Sequence, residues 1–119
     1  MPDYRITVHT GDVDGAGTDA NVYITIYGSN GSSDELQLDS GRDDFERNGA
    51  DMFTHTLKDL GDLYRVRIRH DNSGSRPGWF LDRISIRDED SDKEWSFPCS
   101  RWLATDEDDE RIDRYLDLS

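Results

Sequence analysis

Hydrophobic positions recur at every second residue along most of this chain. Tyr4, Ile6 and Val8 alternate with Arg5, Thr7 and His9, and Val22, Ile24 and Ile26 alternate with Tyr23, Thr25 and Tyr27. Tyr64, Val66 and Ile68 alternate in the same way with Arg65, Arg67 and Arg69. Successive side chains of a β-strand point to opposite faces, so this period predicts half-buried antiparallel strands. Further strands are expected over about 34–38, 51–57, 79–87, 93–97 and 113–118. The turn signals Ser29-Asn30-Gly31, Asp59-Leu60-Gly61, Asp71-Asn72-Ser73-Gly74 and Arg76-Pro77-Gly78 punctuate them. About eight short strands with turns this frequent predict an all-β chain folded as a two-sheet sandwich. No segment carries a helical stripe, and Ala104 to Arg111 is acidic enough to read as a loop or one helical turn. A length of 119 residues, with no repeat or linker, predicts a single domain over 1–119.

Charge narrows the function classes. With 14 basic and 27 acidic residues the net charge is -13, which opposes nucleic acid and any bare anionic membrane. Of the acids 21 are Asp, and Lys58 and Lys93 are the only lysines; both a metal site and a hydrated acidic surface draw on such a composition. Cys99 is the only cysteine, so no internal disulfide forms. No apolar run approaches the ~20 residues of a transmembrane helix. The strand pattern starts by Tyr4 and leaves no room for a signal peptide. The chain therefore reads as a soluble protein, or a domain cut from something longer, in an unspecified compartment.

Residues 10–21, Thr-Gly-Asp-Val-Asp-Gly-Ala-Gly-Thr-Asp-Ala-Asn, crowd oxygen donors into a turn between two strands. Ca²⁺ takes roughly 6–8 oxygen ligands, and the side chains of Asp12, Asp14, Asp19 and Asn21 with the carbonyls of Gly15 and Gly17 suit it. Two rival readings fail. The spacing Gly15-x-Gly17-x-x-Ala20 imitates a dinucleotide fingerprint, but a strand follows where the helix N-terminus should be. Read as a helix-loop-helix calcium loop, Asp12, Asp14 and Gly17 fall at positions 1, 3 and 6, yet Tyr23 stands where the bidentate Glu belongs. A solvated Asp/Gly turn with no ligand remains open as the plain alternative.

Four further blocks follow: Leu38-Asp39-Ser40-Gly41-Arg42-Asp43-Asp44-Phe45-Glu46-Arg47, Arg69-His70-Asp71-Asn72-Ser73-Gly74, Gly78-Trp79-Phe80-Leu81-Asp82-Arg83-Ile84, and Trp95-Ser96-Phe97-Pro98-Cys99-Ser100-Arg101-Trp102-Leu103. With the front loop, their order and spacing resemble the PLAT domain, the lipoxygenase-homology module, and most of all the tandem modules of lipoxygenase-homology repeat proteins. The resemblance runs from about Tyr4 to Leu118. It implies an eight-stranded antiparallel β-sandwich of two four-stranded sheets, noncatalytic, docking proteins onto membranes or partners, often with calcium.

Carried over residue by residue, the resemblance implies a calcium site at the Gly17-Thr18-Asp19 turn with the Gly15 carbonyl nearby. Asp39, Asp43 and Asp44 match its second loop in kind, Ser40 stands where relatives often have Asn, and Asp71 with Asn72 match a third loop. Each loop follows an odd-numbered strand, so all three are expected at one end of the sandwich. Two bound Ca²⁺ would bring the charge from -13 only to about -9, so adhesion to lipid has to be local. Trp79 and Phe80 are the candidate membrane-binding aromatics, with a core role as the competing reading. Trp95, Phe97 and Trp102 read as core, with Cys99 an inert buried thiol beside them.

Catalysis has little basis. His9, His55 and His70 show no zinc spacing, and no Gly-x-Ser-x-Gly elbow exists. Asn30-Gly31-Ser32 fits a glycosylation sequon but reads first as a turn. The expectation is a non-enzymatic Ca²⁺-binding module that targets a protein to a membrane or lipid surface, with no nucleic-acid partner. The alternative is a protein-interaction module in which calcium is at most structural.

Overall fold

The computed structural model describes residues 2–12, 17–18, 21–38, 48–71, 78–104 and 112–118. Nine strands are formed among them: β1 (Asp3–Thr10), β2 (Val22–Gly28), β3 (Gly31–Ser32), β4 (Leu36–Leu38), β5 (Ala50–Thr56), β6 (Leu63–His70), β7 (Trp79–Asp88), β8 (Glu94–Leu103) and β9 (Asp113–Asp117). One sheet runs β5-β1-β7-β8; the other runs β3-β2-β6-β9, with β4 also paired to β2. Every pairing is antiparallel.

Nine strands fill eight positions. β6 takes one edge of β2 from Val22 to Gly28, so β3, opposite Tyr27 and Gly28, and β4, opposite Val22 to Ile24, share the other edge. The break between them lies at Ser33, whose hydroxyl oxygen accepts the Ile26 N–H at 3.0 Å and donates to the Asp34 carbonyl at 2.8 Å. A serine that bonds the backbone locally offers the chain an alternative to the ladder, and the strand expected over 34–38 is shortened accordingly.

The alternating apolar residues face each other between the sheets. Ile6, Val8, Ile24, Ile26, Val66, Ile68, Ile84 and Ile86 have no exposed surface. Tyr4 joins them with its hydroxyl accepting the Leu60 N–H at 3.1 Å, so the one polar atom of the ring is satisfied inside. Tyr64 departs from the expected pattern and is 52% exposed. The register shifts where Gly28 meets Leu63, and that irregularity places Leu63 in the core ahead of Tyr64.

β8 also runs longer than the expected 93–97, through Pro98 to Leu103. Among the described residues it pairs with β7 alone, and an edge strand tolerates a proline that has no N–H to donate. Ser100 has φ 53°, and the β7–β8 register shifts between Leu81 and Arg83. Beyond Pro98 the strand is less deeply packed: Cys99 and Trp102 are half-buried rather than core, whereas Trp95 and Phe97 are buried as expected.

Candidate metal centre

The registers bring the roots of the three acid-bearing loops to one end. Thr10 ends β1, Leu38 ends β4 and His70 ends β6, and each lies beside the start of an antiparallel neighbour: Leu81 of β7, Val22 of β2 and again Val22. The root of the first loop is clamped by backbone bonds. Thr10 N–H donates to Gly49 O at 3.0 Å, Gly11 N–H to Phe80 O at 2.9 Å, and Asn48 N–H back to Gly11 O at 3.1 Å. A Cβ on Gly11 would lie 2.4 Å from the Phe80 ring, so this close approach requires glycine.

The far root of that loop is tied to the root of the loop after β6. Asn21 donates its backbone N–H to Asp71 Oδ1 at 3.2 Å and its amide Nδ2 to Oδ2 at 2.9 Å, while Asp71 N–H returns to Asn21 O at 3.1 Å. Gln37, on β4, donates to Asn21 Oδ1 at 3.4 Å. Asn21 thus links the Asp71 carboxylate at the end of β6 to Gln37 on β4. In the first loop Thr18 is buried and Gly17 half-buried, while Asp12 is exposed.

Of the expected ligands, Gly17, Thr18 and Asp71 fall within the described residues. Gly15, Asp19, Asp39, Ser40, Asp43, Asp44 and Asn72 lie outside them. Among the described residues no three His, Cys, Asp or Glu side chains form a metal-sized group. The described donors at this end are hard oxygens, which is the chemistry of Ca²⁺ and not of thiolate- or imidazole-bound metals.

The structure corrects the reading of Trp79 as a membrane anchor. Its ring has no exposed surface, and the indole N–H donates to Thr10 Oγ at 3.0 Å inside the first sheet. Burial of the indole together with its one polar atom satisfies both halves of an amphipathic ring internally, so nothing is left for lipid. Phe80, next along, is half-buried and packs edge-to-face on Trp102 with centroids 5.4 Å apart.

His70 is fully buried with Nε2 2.6 Å from the Leu103 carbonyl, and because a carbonyl only accepts, the ring proton sits on Nε2. Burial lowers the pKa of His70 and His55, and of His9 with Arg83 adding to the effect.

A second constellation, not anticipated from the sequence, covers the outer face of the five-stranded sheet. Arg69 holds Glu35 through two bonds of 2.8 and 2.6 Å, Arg67 holds Asp113 at 2.8 Å and Arg65 holds Asp117 at 2.8 Å. The bond from Arg69 is the chief reason the Glu35 carboxyl lies below its ordinary pKa. Tyr rings fill the gaps: Arg69 lies 4.3 Å over Tyr23, and Arg65 and Arg67 lie 5.6 and 6.0 Å from Tyr115. Alternation shows three arginines facing outward, but their acids come from residues up to 52 positions away, which pairing alone brings near.

An antiparallel sandwich with acid-bearing loops at one end is the architecture of a C2-like module. The PLAT/LH2 domain family matches residues 4–117. Lipoxygenase homology domain-containing protein 1 of Homo sapiens is 50% identical over 118 residues, covering 95% of this chain and 6% of that protein. Coral 8R-lipoxygenase, described as activated by calcium through a C2-like domain, has a crystal structure that superposes with TM-score 0.85 at 34% identity, covering 98% of this chain and 17% of that one. A calcium-dependent 11R-lipoxygenase superposes with TM-score 0.73 at 29% identity, covering 99% and 17%. This chain belongs to the PLAT/LH2 domain family. It spans only 6% of the curated relative's length, and among the described residues no helix is long and apolar enough to cross a membrane.

Proposed function

We propose that this chain is a noncatalytic calcium-binding module that brings a larger protein to a membrane or lipid surface. The observation that carries the reading is the Asn21–Asp71 clamp, which ties the roots of two acid-bearing loops beside the end of a third. Asp19, Asp39, Asp43, Asp44 and Asp71 would hold Ca²⁺ with their carboxylates, and Gly15, Gly17, Thr18, Ser40 and Asn72 would supply the remaining oxygens. When bound, the ion would relieve repulsion among the carboxylates that hold it. The lipoxygenases that share the fold and are described as calcium-activated support the same reading.

Lipid contact has to come from the loop end rather than from Trp79. Phe80 is the described aromatic best placed for it, being half-buried near the start of β7 beside the root of the first loop. The net charge of -13 repels an anionic bilayer beyond a Debye length of about 8 Å, so the ion acts locally and the aromatic supplies apolar burial.

Thermal melting in excess chelator and in millimolar calcium tests the metal. Calcium should raise the midpoint through linkage, and Asp19→Ala should remove most of that rise. Sedimentation with liposomes tests the surface: binding should require calcium and weaken in Phe80→Ala while that variant keeps its calcium-dependent melting. A calcium-loaded protein that stays in the supernatant with neutral and anionic lipids would leave a metal-stabilised module without membrane targeting. Equal melting with and without calcium would refute the metal site.

A further inference from the structure

Backbone bonds show which way each residue of β5 presents its polar groups. Leu57 N–H donates to Pro2 O and Thr10 N–H to Gly49 O, both at 3.0 Å, so the odd-numbered residues of this pairing are the ones bonded to β1. The N–H and C=O groups of Ala50, Met52, Thr54 and Thr56 therefore point the other way, along the outer edge of the four-stranded sheet. All four residues are exposed, and Met52, at 63%, is the most exposed large apolar side chain among the described residues. Among those residues β5 pairs with β1 alone.

The other sheet edges carry devices that discourage pairing. β8 contains Pro98, β9 is five residues with Asp113 and Asp117 at its ends, and the edge beside β2 is broken between β3 and β4. Proline, charge and interruption each blunt an edge against a further strand. β5 runs seven residues in unbroken register with neither proline nor lysine, and the four residues that present backbone groups outward are uncharged. An edge of that kind is a template for strand addition.

The strand is also complementary to itself. Turned about a two-fold axis through Phe53, a second β5 sets Ala50 opposite Thr56 and Met52 opposite Thr54, so every outward-facing backbone group meets another and about eight N–H···O bonds form. The same register puts the Asp51 carboxylate opposite the His55 ring at two places and Phe53 opposite Phe53. Asp51, Phe53 and His55 lie on the inner side of the sheet with Phe53 buried, so the pairing continues the core across the axis. A shift by two residues in either direction separates Asp51 from His55. We propose that two copies of this chain pair antiparallel through β5, Asp51 of each opposite His55 of the other, joining two four-stranded sheets into one of eight strands. A second copy is the occupant that the strand's own charges select, since β5 supplies both members of the carboxylate–imidazole pair, and the contact is isologous as a closed two-fold requires. The net charge of -13 on each copy opposes their approach but is screened beyond about 8 Å at physiological salt, so the pairing tightens as salt rises. The inference is independent of the calcium reading.

Analytical sedimentation from about 10 µM to about 1 mM protein, in excess chelator, reads the equilibrium without calcium. Wild-type protein should form a dimer that is several-fold tighter at about 0.5 M than at about 0.05 M salt. Thr54→Pro, which removes an outward N–H and no bond to β1, and Met52→Lys should each weaken the dimer by about tenfold or more, the lysine doing so although it lowers the net negative charge. Ser96→Lys, the same charge change on β8, should dimerise at least as well as wild type. His55→Glu should weaken the dimer by about tenfold, and adding Asp51→Lys should restore it. Amide exchange at Met52, Thr54 and Thr56 should slow as protein concentration rises, whereas Asp51, Phe53 and His55 should exchange slowly throughout, in Thr54→Pro as well, which shows that the fold survives. A chain monomeric at every concentration and salt would overturn the proposal, as would a dimer indifferent to the β5 variants or lost equally in Ser96→Lys. Failure of the double variant to restore pairing would overturn the register. A monomer whose outward β5 amides slow only on adding an unrelated valine–threonine peptide would overturn the proposal too, by giving the edge to a partner segment.

Discussion

His70 on β6 donates its Nε2 proton to the carbonyl of Leu103 on β8 at 2.6 Å, and this bond ties the two sheets together at the end where the loops gather. Strand ladders hold each sheet but do not cross between sheets, so a buried polar bond between them fixes their spacing next to Asp71.

Stability should fall as the medium is acidified through the ordinary histidine range. Burial, the largest influence, lowers the His70 pKa, against the upward pull of the Leu103 carbonyl and Asp71. A histidine held neutral in the fold is protonated first in the unfolded chain, which then binds more protons. Its stabilisation is complete above the unfolded value of about 6.5 and is lost as pH falls below it toward the folded value. Urea midpoints in chelator should drop between about pH 7.5 and about pH 5.5, and His70→Gln should flatten that slope. His9 and His55 are shifted in the same direction and carry the remainder. A slope unchanged in His70→Gln would show that the buried ring does not titrate in this range.

Gly28→Ala should destabilise strongly although it adds one methyl group. A Cβ there would lie 2.2 Å from the Leu60 carbonyl oxygen and 2.9 Å from its carbon, both backbone atoms that cannot turn aside. Overpacking of this kind costs about 1–3 kcal/mol or more, read from the denaturation midpoint at constant m-value. A loss below about 0.5 kcal/mol would mean that the 57–62 connection moves freely away from β2.

The inner and outer faces of the paired strands β2 and β6 should respond differently to truncation. Ile24→Ala, Ile26→Ala and Ile68→Ala should each cost about 2–5 kcal/mol, and Val66→Ala somewhat less, because all four are fully buried between the sheets. Arg65→Ala should cost no more than about 1 kcal/mol, since its ion pair with Asp117 is exposed on both sides. Chemical denaturation of the five variants measures both sets, and equal losses would place the core on the wrong face.

Trp79→Phe should cost about 1–3 kcal/mol by leaving the buried Thr10 hydroxyl without its donor. Trp79 should also be shielded from acrylamide: removing it should raise the quenchable fraction of the emission that remains, since Trp102 is half-buried. A Trp79 emission that shifts on adding liposomes would contradict its place in the core.

Much of the fold is legible in the chain because a period of two has one simple cause. When one face of a strand packs in the core, every second residue must be apolar, and β1, β2, β6 and β7 show this over most of their lengths. The pattern fails where a local device breaks the ladder. The Ser33 hydroxyl splits one edge strand into β3 and β4, the shift at Gly28 turns Tyr64 outward, and Pro98 hides the second half of an edge strand.

Alternation and turn residues therefore determined the class of fold, the inward set and the clustering of acids in loops, since these depend on neighbours within a few residues. Partnership across the chain was decided only by the tertiary structure. That Trp79 meets Thr10 and leaves no anchor, that Asn21 clasps Asp71, and that Arg65 finds Asp117 all depend on which strands lie side by side. Strand order is set by packing the whole core at once, and no local stretch of sequence carries it.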